Sequence, residues 1–485
     1  MTMQQIDVAI IGAGTAGLSA RAEVAKVTDS YRVFDPGHLG TTCARTGCMP
    51  SKAFLQSAHD YHRREAFAAL GLEGMQEVKA IGSAVLAQTR ALRDDLADGV
   101  IDGMKGWNET HLVRQGPVFL ADGTLRAGDL VFHPKATVIA TGTRPVVPRE
   151  WRDALGDRLV TTDTFFEMSE LPARIAVIGL GPVGLELGQA LARLGVAVTG
   201  FDPSPMQGGI SDPALQDHLE ASLGREMTIV QASGDPRLAP DGSVTVTWDG
   251  GEIKVDCVLA AMGRTPNIES LKLDQIGIAL SDHSHPVLPQ GQLNAAGTSI
   301  YFAGDLSGGP ALLHEAADEG RVAGFHAARG KDAVFTRRTP LKIVFTDPQI
   351  ASVGETFDNL PDKVDEMAIG TASFSSAGRA RVARGSGGVV RIYADKATSR
   401  LRGAAVMGPQ AEHLAHLLAY AICSKAPLND LLRMPYYHPT HEEVLRRAIR
   451  AAVAACDVEL GALDETRCRD TPVDAPDADK LSQKS

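Results

Sequence analysis

Cys43 and Cys48 stand with four residues between them in the run Gly40-Thr-Thr-Cys-Ala-Arg-Thr-Gly-Cys-Met-Pro-Ser-Lys52. Two thiols this close can close on each other, and a strained, accessible ring of that kind is redox-active rather than a structural staple. In an unbroken α-helix their Cα atoms would lie about 7.5 Å apart, beyond the usual disulfide range of about 4.4–6.8 Å. An oxidised pair therefore needs a distorted helix start, and Gly47 supplies part of that freedom. The alternatives are ordinary buried thiols or half of a metal site. Metal is the weaker of these, because zinc asks for a second ligand pair that the chain lacks.

The elements around the pair follow one grammar, used twice. Ile6–Ile11 reads as a buried parallel strand; Gly12, Gly14 and Gly17 follow as G-x-G-x-x-G. A helix over 18–27 comes next, then a strand at Tyr31–Phe34 that ends at Asp35. Later, Arg174–Ile178 is a strand, Gly179, Gly181 and Gly184 form the turn, and residues 185–194 make a helix stopped by Gly195. The strand 196–201 then ends at Asp202. First glycine and acid are 23 positions apart in both copies. Such a turn lets the backbone reach a pyrophosphate at a helix N-terminus, and the acid can bind a ribose hydroxyl. The pattern implies two dinucleotides, or one dinucleotide and a decayed copy; a glycine-rich turn in some other α/β unit is the alternative. Pro-Ser-Pro-Met follows Asp202, with no cation for a 2′-phosphate, so the second site is expected to prefer NAD over NADP.

Strands over 137–142, carrying Thr141 and Gly142, and over 257–263, ending at Gly263, read as crossings between nested domains. A strand over 299–305 delivers Gly304 and Asp305 at its carboxyl end, where ligands bind in open α/β sheets. A helix over 313–328 follows. From Leu341 the runs 343–345, 388–393 and 404–407 are β-rich, and helices are expected at 412–423 and 442–456, which makes an α+β domain. The fold class is thus α/β, with two nested Rossmann-like dinucleotide-binding domains plus the C-terminal α+β domain. Boundaries are expected at 1–148 (first dinucleotide domain with the cysteine pair), 149–270 (second), 271–338 (return to the first), 339–462 and a disordered polar tail at 463–485.

The chain has 485 residues, 44% hydrophobic and 22% charged, enough for about three domains. A net charge of −11 argues against nucleic acid or an anionic membrane as partner. Six cysteines do not make a secreted disulfide scaffold. No signal, transit or membrane-spanning pattern is visible, so a reducing, cytoplasmic setting is expected.

Cys-x4-Cys followed by Met-Pro-Ser-Lys, set between two such fingerprints, resembles the flavin-dependent pyridine nucleotide–disulfide oxidoreductases, and most of all their dihydrolipoyl dehydrogenase branch. The resemblance spans roughly residues 5–455. It implies FAD at the first fingerprint and NAD at the second. Cys48 would face the flavin and Cys43 would exchange with a dithiol substrate. Lys52 would lie by the flavin and pair with Glu186, and Asp305 would hold the ribityl or phosphate part. Thr346-Asp-Pro-Gln-Ile-Ala-Ser-Val-Gly354 would open a dimerisation domain. His438-Pro-Thr-His-Glu-Glu443 matches the family's acid–base motif, with His438 reaching the cysteines of a second subunit in a homodimer, oriented by Glu443. The chemistry agrees: a dithiol must lose a proton to attack a disulfide, and an imidazole held by a carboxylate can take it. His314 and His441 are read as ordinary histidines.

Three positions depart from the family pattern: Asp202 and Gln349 replace Glu, and Ala44-Arg45 replaces Leu-Asn. Arg45 either lowers a thiol pKa or extends into solvent. The implied activity is oxidation of a dihydrolipoyl dithiol with reduction of NAD, the partner being a lipoyl-bearing domain or a small disulfide. The rivals are reductases of other acceptors or a flavin-loaded docking subunit. Mercuric reductases carry a vicinal C-terminal cysteine pair, whereas Cys456 and Cys468 are far apart. Soluble transhydrogenases lack the paired cysteines, and glutathione-type reductases favour NADP.

Overall fold

Val8 to Ile11 are buried on both strand faces, as a central parallel strand requires. In the computed structural model, which describes residues 3–205, 207–360, 366–385 and 387–457, this strand runs Met3–Ile11. Tyr31–Phe34 lies parallel on one side of it and Leu130–Ile139 on the other. Leu112–Val113 extends the sheet beyond Tyr31–Phe34. Ile300–Phe302 pairs in parallel with the carboxyl end of Leu130–Ile139. The strand order thus reverses about Met3–Ile11, and open α/β sheets take ligands in the crevice at such a reversal.

A second parallel sheet repeats the plan in the order Thr228–Val230, Ala197–Phe201, Arg174–Ile178, Cys257–Ala260, Leu159–Thr161. The two expected crossings meet: Thr143–Pro145 and Arg264–Pro266 pair as an antiparallel ribbon. The antiparallel sheet Asp235–Leu238, Val244–Trp248, Gly251–Val255 was not expected. Both fingerprint helices begin earlier than their apolar runs suggest, at Thr15–Val24 and Pro182–Arg193. The last glycine of each turn is already helical, and Pro182 suits a first turn, where its missing N–H costs nothing.

The described residues fall into two compact units, those within Met1–Gly208 and Leu223–Arg337, and those within Gly209–Ser222 and Arg338–Ser485. In the second unit, Leu341–Val344, Gln349–Gly354, Leu401–Gly408, Val389–Asp395 and Met367–Ser373 form one antiparallel sheet. Helices Ala411–Cys423 and Glu442–Ala454 share its core through residues such as Val353, Val406, Leu418 and Ile449. Gln349 has a local use here: its side-chain oxygen accepts from the Glu412 N–H at 3.3 Å. The tail at 463–485 lies outside the described residues.

Helix Leu313–Ala327 sits on Thr15–Val24 at backbone distance. A Cβ added at Gly320 would stand 2.2 Å from the Ala16 carbonyl oxygen, and one at Gly324 would stand 2.3 Å from that of Ala20. Backbone has no rotamer with which to give way, so Gly320→Val must part the helices. The expected loss is about 3 kcal/mol, at the upper end of overpacking costs, read as a lower urea midpoint. An unchanged midpoint would contradict the close crossing.

Candidate active site

The chain between the cysteines breaks its helix, as their spacing requires. Thr42–Arg45 makes one turn, Gly47 adopts φ −115° and ψ −115°, and a new helix starts at Cys48 and runs to His62. Thr41 precedes this turn at φ 63° and ψ 151°, a region nearly reserved for glycine and costing roughly 1–3 kcal/mol. Its hydroxyl oxygen accepts from the Ala44 N–H at 3.2 Å and so caps the turn that carries Cys43. Sequence reasoning missed Thr41. A hydroxyl three residues before Ala44 is a capping signal, but the positive φ leaves no trace in the sequence.

Both cysteines are thiols here. Cys43 donates a hydrogen bond to Cys48; that bond and burial push Cys43 well above the ordinary thiol range. The same bond, helped by the Lys52 ammonium, holds Cys48 down to about 6 against burial and the Glu186 charge. The Arg45 guanidinium donates to the Leu39 carbonyl at 3.4 Å. Lys52 Nζ meets Glu186 Oε2 at 2.7 Å, with Glu186 buried in helix Pro182–Arg193.

Both cysteines line a cleft together with Gly12, Gly14 and Asp35. Thr141, Gly142, Gly304 and Asp305 line the same cleft. The two glycine turns match bond for bond. Gly12 and Gly179 have φ +108° and +97°, and their N–H groups donate to the carbonyls of Phe34 and Phe201, each at 2.8 Å. A Cβ at either would strike a carbonyl, Ala140 at 2.3 Å or Ala261 at 2.4 Å. Gly17 and Gly184 lie behind the turns, whereas a Cβ at Gly14 or Gly181 would meet no protein atom within 4 Å. The space over both turns is open, as approach of a pyrophosphate demands. The Thr141 hydroxyl in the first cleft is buried without a hydrogen-bond partner. An orphaned hydroxyl beside an open glycine turn fits a polar ligand such as a dinucleotide.

The two acids do more than the sequence suggests. Asp35 accepts from the N–H groups of Ala13 at 2.7 Å and Gly37 at 2.8 Å. Asp202 does the same with Leu180 at 2.7 Å and Ser204 at 2.9 Å. Each short carboxylate ties its own turn shut, leaving the remaining lone pairs for a ribose. Burial raises the Asp305 carboxyl above its ordinary range, with the Arg264 guanidinium pulling the other way. Arg264, unremarked in the sequence, is itself bonded to Thr143 through its hydroxyl at 2.9 Å and carbonyl at 2.8 Å. Gly263, at the start of the ribbon, accepts from the Val146 N–H at 3.0 Å through its carbonyl.

His438 and Glu443 belong to the second unit. His438 Nδ1 lies 3.0 and 3.2 Å from the two Glu443 carboxylate oxygens, and the Thr440 N–H also donates to Glu443 at 3.2 Å. These partners, the histidine first, hold the Glu443 carboxyl below its usual range. The His438 side chain is 77% exposed, so its outer nitrogen is free to meet another molecule.

Residues 6–320 match the family described as pyridine nucleotide-disulphide oxidoreductase, and residues 341–449 match its dimerisation domain. The chain belongs to this family. Its members use FAD and a pyridine nucleotide, and the dimerisation domain implies a homodimer. This oxidoreductase is 31% identical over 465 residues to dihydrolipoyl dehydrogenase 2, mitochondrial, of Arabidopsis thaliana, covering 92% of this chain and 90% of that one. It is 30% identical over 466 residues to leghemoglobin reductase of Glycine max, covering 92% and 87%. Among solved structures, the copper(II) complex of the HOCl-induced flavoprotein disulfide reductase RclA from Escherichia coli has a TM-score of 0.80 at 20% identity, over 92% of this chain and 99% of that one. LpdA from Mycobacterium tuberculosis has a TM-score of 0.76 at 22% identity, over 92% and 99%. The chain is thus a flavoprotein disulfide oxidoreductase with a near cysteine pair, and its fold is shared with several kinds of disulfide reductase.

The Cys48 thiolate should appear with a midpoint near pH 6 in the reduced protein, followed by absorbance at 240 nm. A cation favours the charged form, so Lys52→Met should raise that midpoint by about one unit. A midpoint unmoved by the substitution would contradict the role given to the ammonium.

Proposed function

We propose that this flavoprotein is a dihydrolipoyl dehydrogenase, oxidising a dihydrolipoyl dithiol and reducing NAD to NADH as a homodimer. The observation that carries this reading is the asymmetric thiol pair, Cys43 kept protonated and Cys48 kept as thiolate, in the cleft of the first glycine turn. The 28–31% identity to proteins described as dihydrolipoyl dehydrogenases supports the substrate.

FAD would lie in the first cleft, held by Gly12, Gly14, Gly17, Asp35, Thr141, Gly142, Gly304 and Asp305, with Lys52 beside it. A carboxylate accepts from hydroxyls and repels phosphate, which favours the ribityl chain for Asp305. NAD would use Gly179, Gly181, Gly184, Asp202 and Gly263. We keep the boundaries near 148, 270 and 338 as the limits of the nested parts, and the cytoplasm as the compartment. When bound, FAD supplies the electron relay between thiolate and nicotinamide.

The protein's own steps start from a Cys43–Cys48 disulfide. A substrate thiolate attacks the Cys43 sulfur, a new S–S bond forms, and Cys48 leaves as thiolate. The second substrate thiol then attacks its own mixed disulfide, which releases oxidised substrate and returns Cys43 as a thiol. His438, supplied by a second copy of the chain and steadied by Glu443, takes the proton of each substrate thiol in turn, passing one on to the Cys43 sulfur as it leaves and keeping the other. Lys52, fixed by Glu186, balances the charge left on Cys48.

Purified, flavin-loaded protein should form NADH rapidly from dihydrolipoamide and NAD, and slowly with NADP. Cys43→Ser should abolish turnover, and His438→Gln should lower it about 100- to 10,000-fold. Flavin reduction by NADH without dihydrolipoamide turnover would overturn the substrate and leave the family intact.

A further inference from the structure

A second polar contact joins the helices that carry Lys52 and Glu186. His59 lies seven residues after Lys52, and Arg193 seven after Glu186; Arg193 Nη1 stands 2.7 Å from His59 Nδ1. Partners that advance together along Cys48–His62 and Pro182–Arg193 mean that the helices run parallel, both N-termini at one end. At 1.5 Å per residue the contacts are about 10 Å apart. A single contact is a pivot about which a helix can turn or slip. Two contacts, two turns apart, oppose both motions.

The second contact is built into the protein interior. The Arg193 side chain is 3% exposed. Its Nε and Nη2 donate to the two oxygens of Glu226 at 2.6 and 2.9 Å, and Gln189 also donates to Glu226 at 2.9 Å. Arginine has donors only, so His59 Nδ1 must accept. That sets the ring as neutral with its proton on Nε2, since a protonated ring would place a second cation against a buried one.

We propose that His59 and Arg193 are positioning residues, locking the redox helix in register with the second glycine-turn helix and so keeping Lys52 on the Cys48 side. The proposal rests on the reading of Cys48 as the redox thiolate. Neither residue touches the reacting atoms; both act through Lys52.

The test is alkylation of Cys48 by iodoacetamide in the reduced, flavin-loaded protein from pH 5 to 9, followed by mass spectrometry. His59→Leu should cut the rate at pH 6 at least threefold. His59→Gln, whose carbonyl oxygen can accept from Arg193, should restore it. A lower melting temperature with an unchanged Cys48 profile would make His59 merely structural and overturn the proposal. Wild-type Cys48 with no thiolate near pH 6 would instead overturn the redox reading on which it rests. Should His59→Leu not fold, imidazole nitrogen NMR of the wild type at pH 7 decides: a neutral Nε2–H ring supports the register lock, and a protonated or Nδ1–H ring overturns it.

Discussion

The 2.7 Å contact between Lys52 and Glu186 joins residues 134 positions apart and brings the cysteine-bearing helix to the helix of the second glycine turn. Each partner is useless to the other without its own helix. Gly47 must break the chain so that a fresh helix can begin at Cys48, which sets Lys52 one turn on. Pro182 must start the second helix on time, so that Glu186 falls on the facing side. The charge that favours the Cys48 thiolate is therefore delivered by the fold of both halves of the first unit.

Building the same turn twice makes this economical. In both copies a positive-φ glycine lets the backbone pass a carbonyl of the returning strand at a distance no side chain would allow. In both copies a short acid at the end of the next strand closes the turn by accepting two N–H groups. An Asp in place of a longer Glu suits that task, since its carboxylate stays near its own backbone. The cost is reach towards a ribose, which the departure of Asp202 from the family's Glu already signals; the two N–H contacts that offset it are visible only in the structure.

Much of the first unit is legible in the sequence, because its strands are continuous apolar runs and its turns are marked by glycines at fixed offsets. The class of fold follows from that grammar and its repeat. What escaped has physical reasons. Asp235–Leu238 begins with Asp-Pro, which hides a short edge strand, and Gln349–Gly354 alternates too little to stand out. Thr41 looks like any threonine, since its left-handed φ is imposed by the surrounding turn. His59 and Arg193 acquire meaning only when two helices distant in sequence lie side by side. His438 and Glu443, five residues apart, were visible together through the motif they share with the family, and the structure places the pair at the start of helix Glu442–Ala454.

In the proposed reaction the cysteine pair and the flavin would form one electron store. Anaerobic titration of the flavin-loaded protein with dithionite tests it most directly. A disulfide and a flavin each take two electrons, so the wild-type protein should take up four per subunit, falling to two in Cys43→Ser. Two electrons in the wild-type protein, with both thiols already free under oxidising conditions, would contradict it.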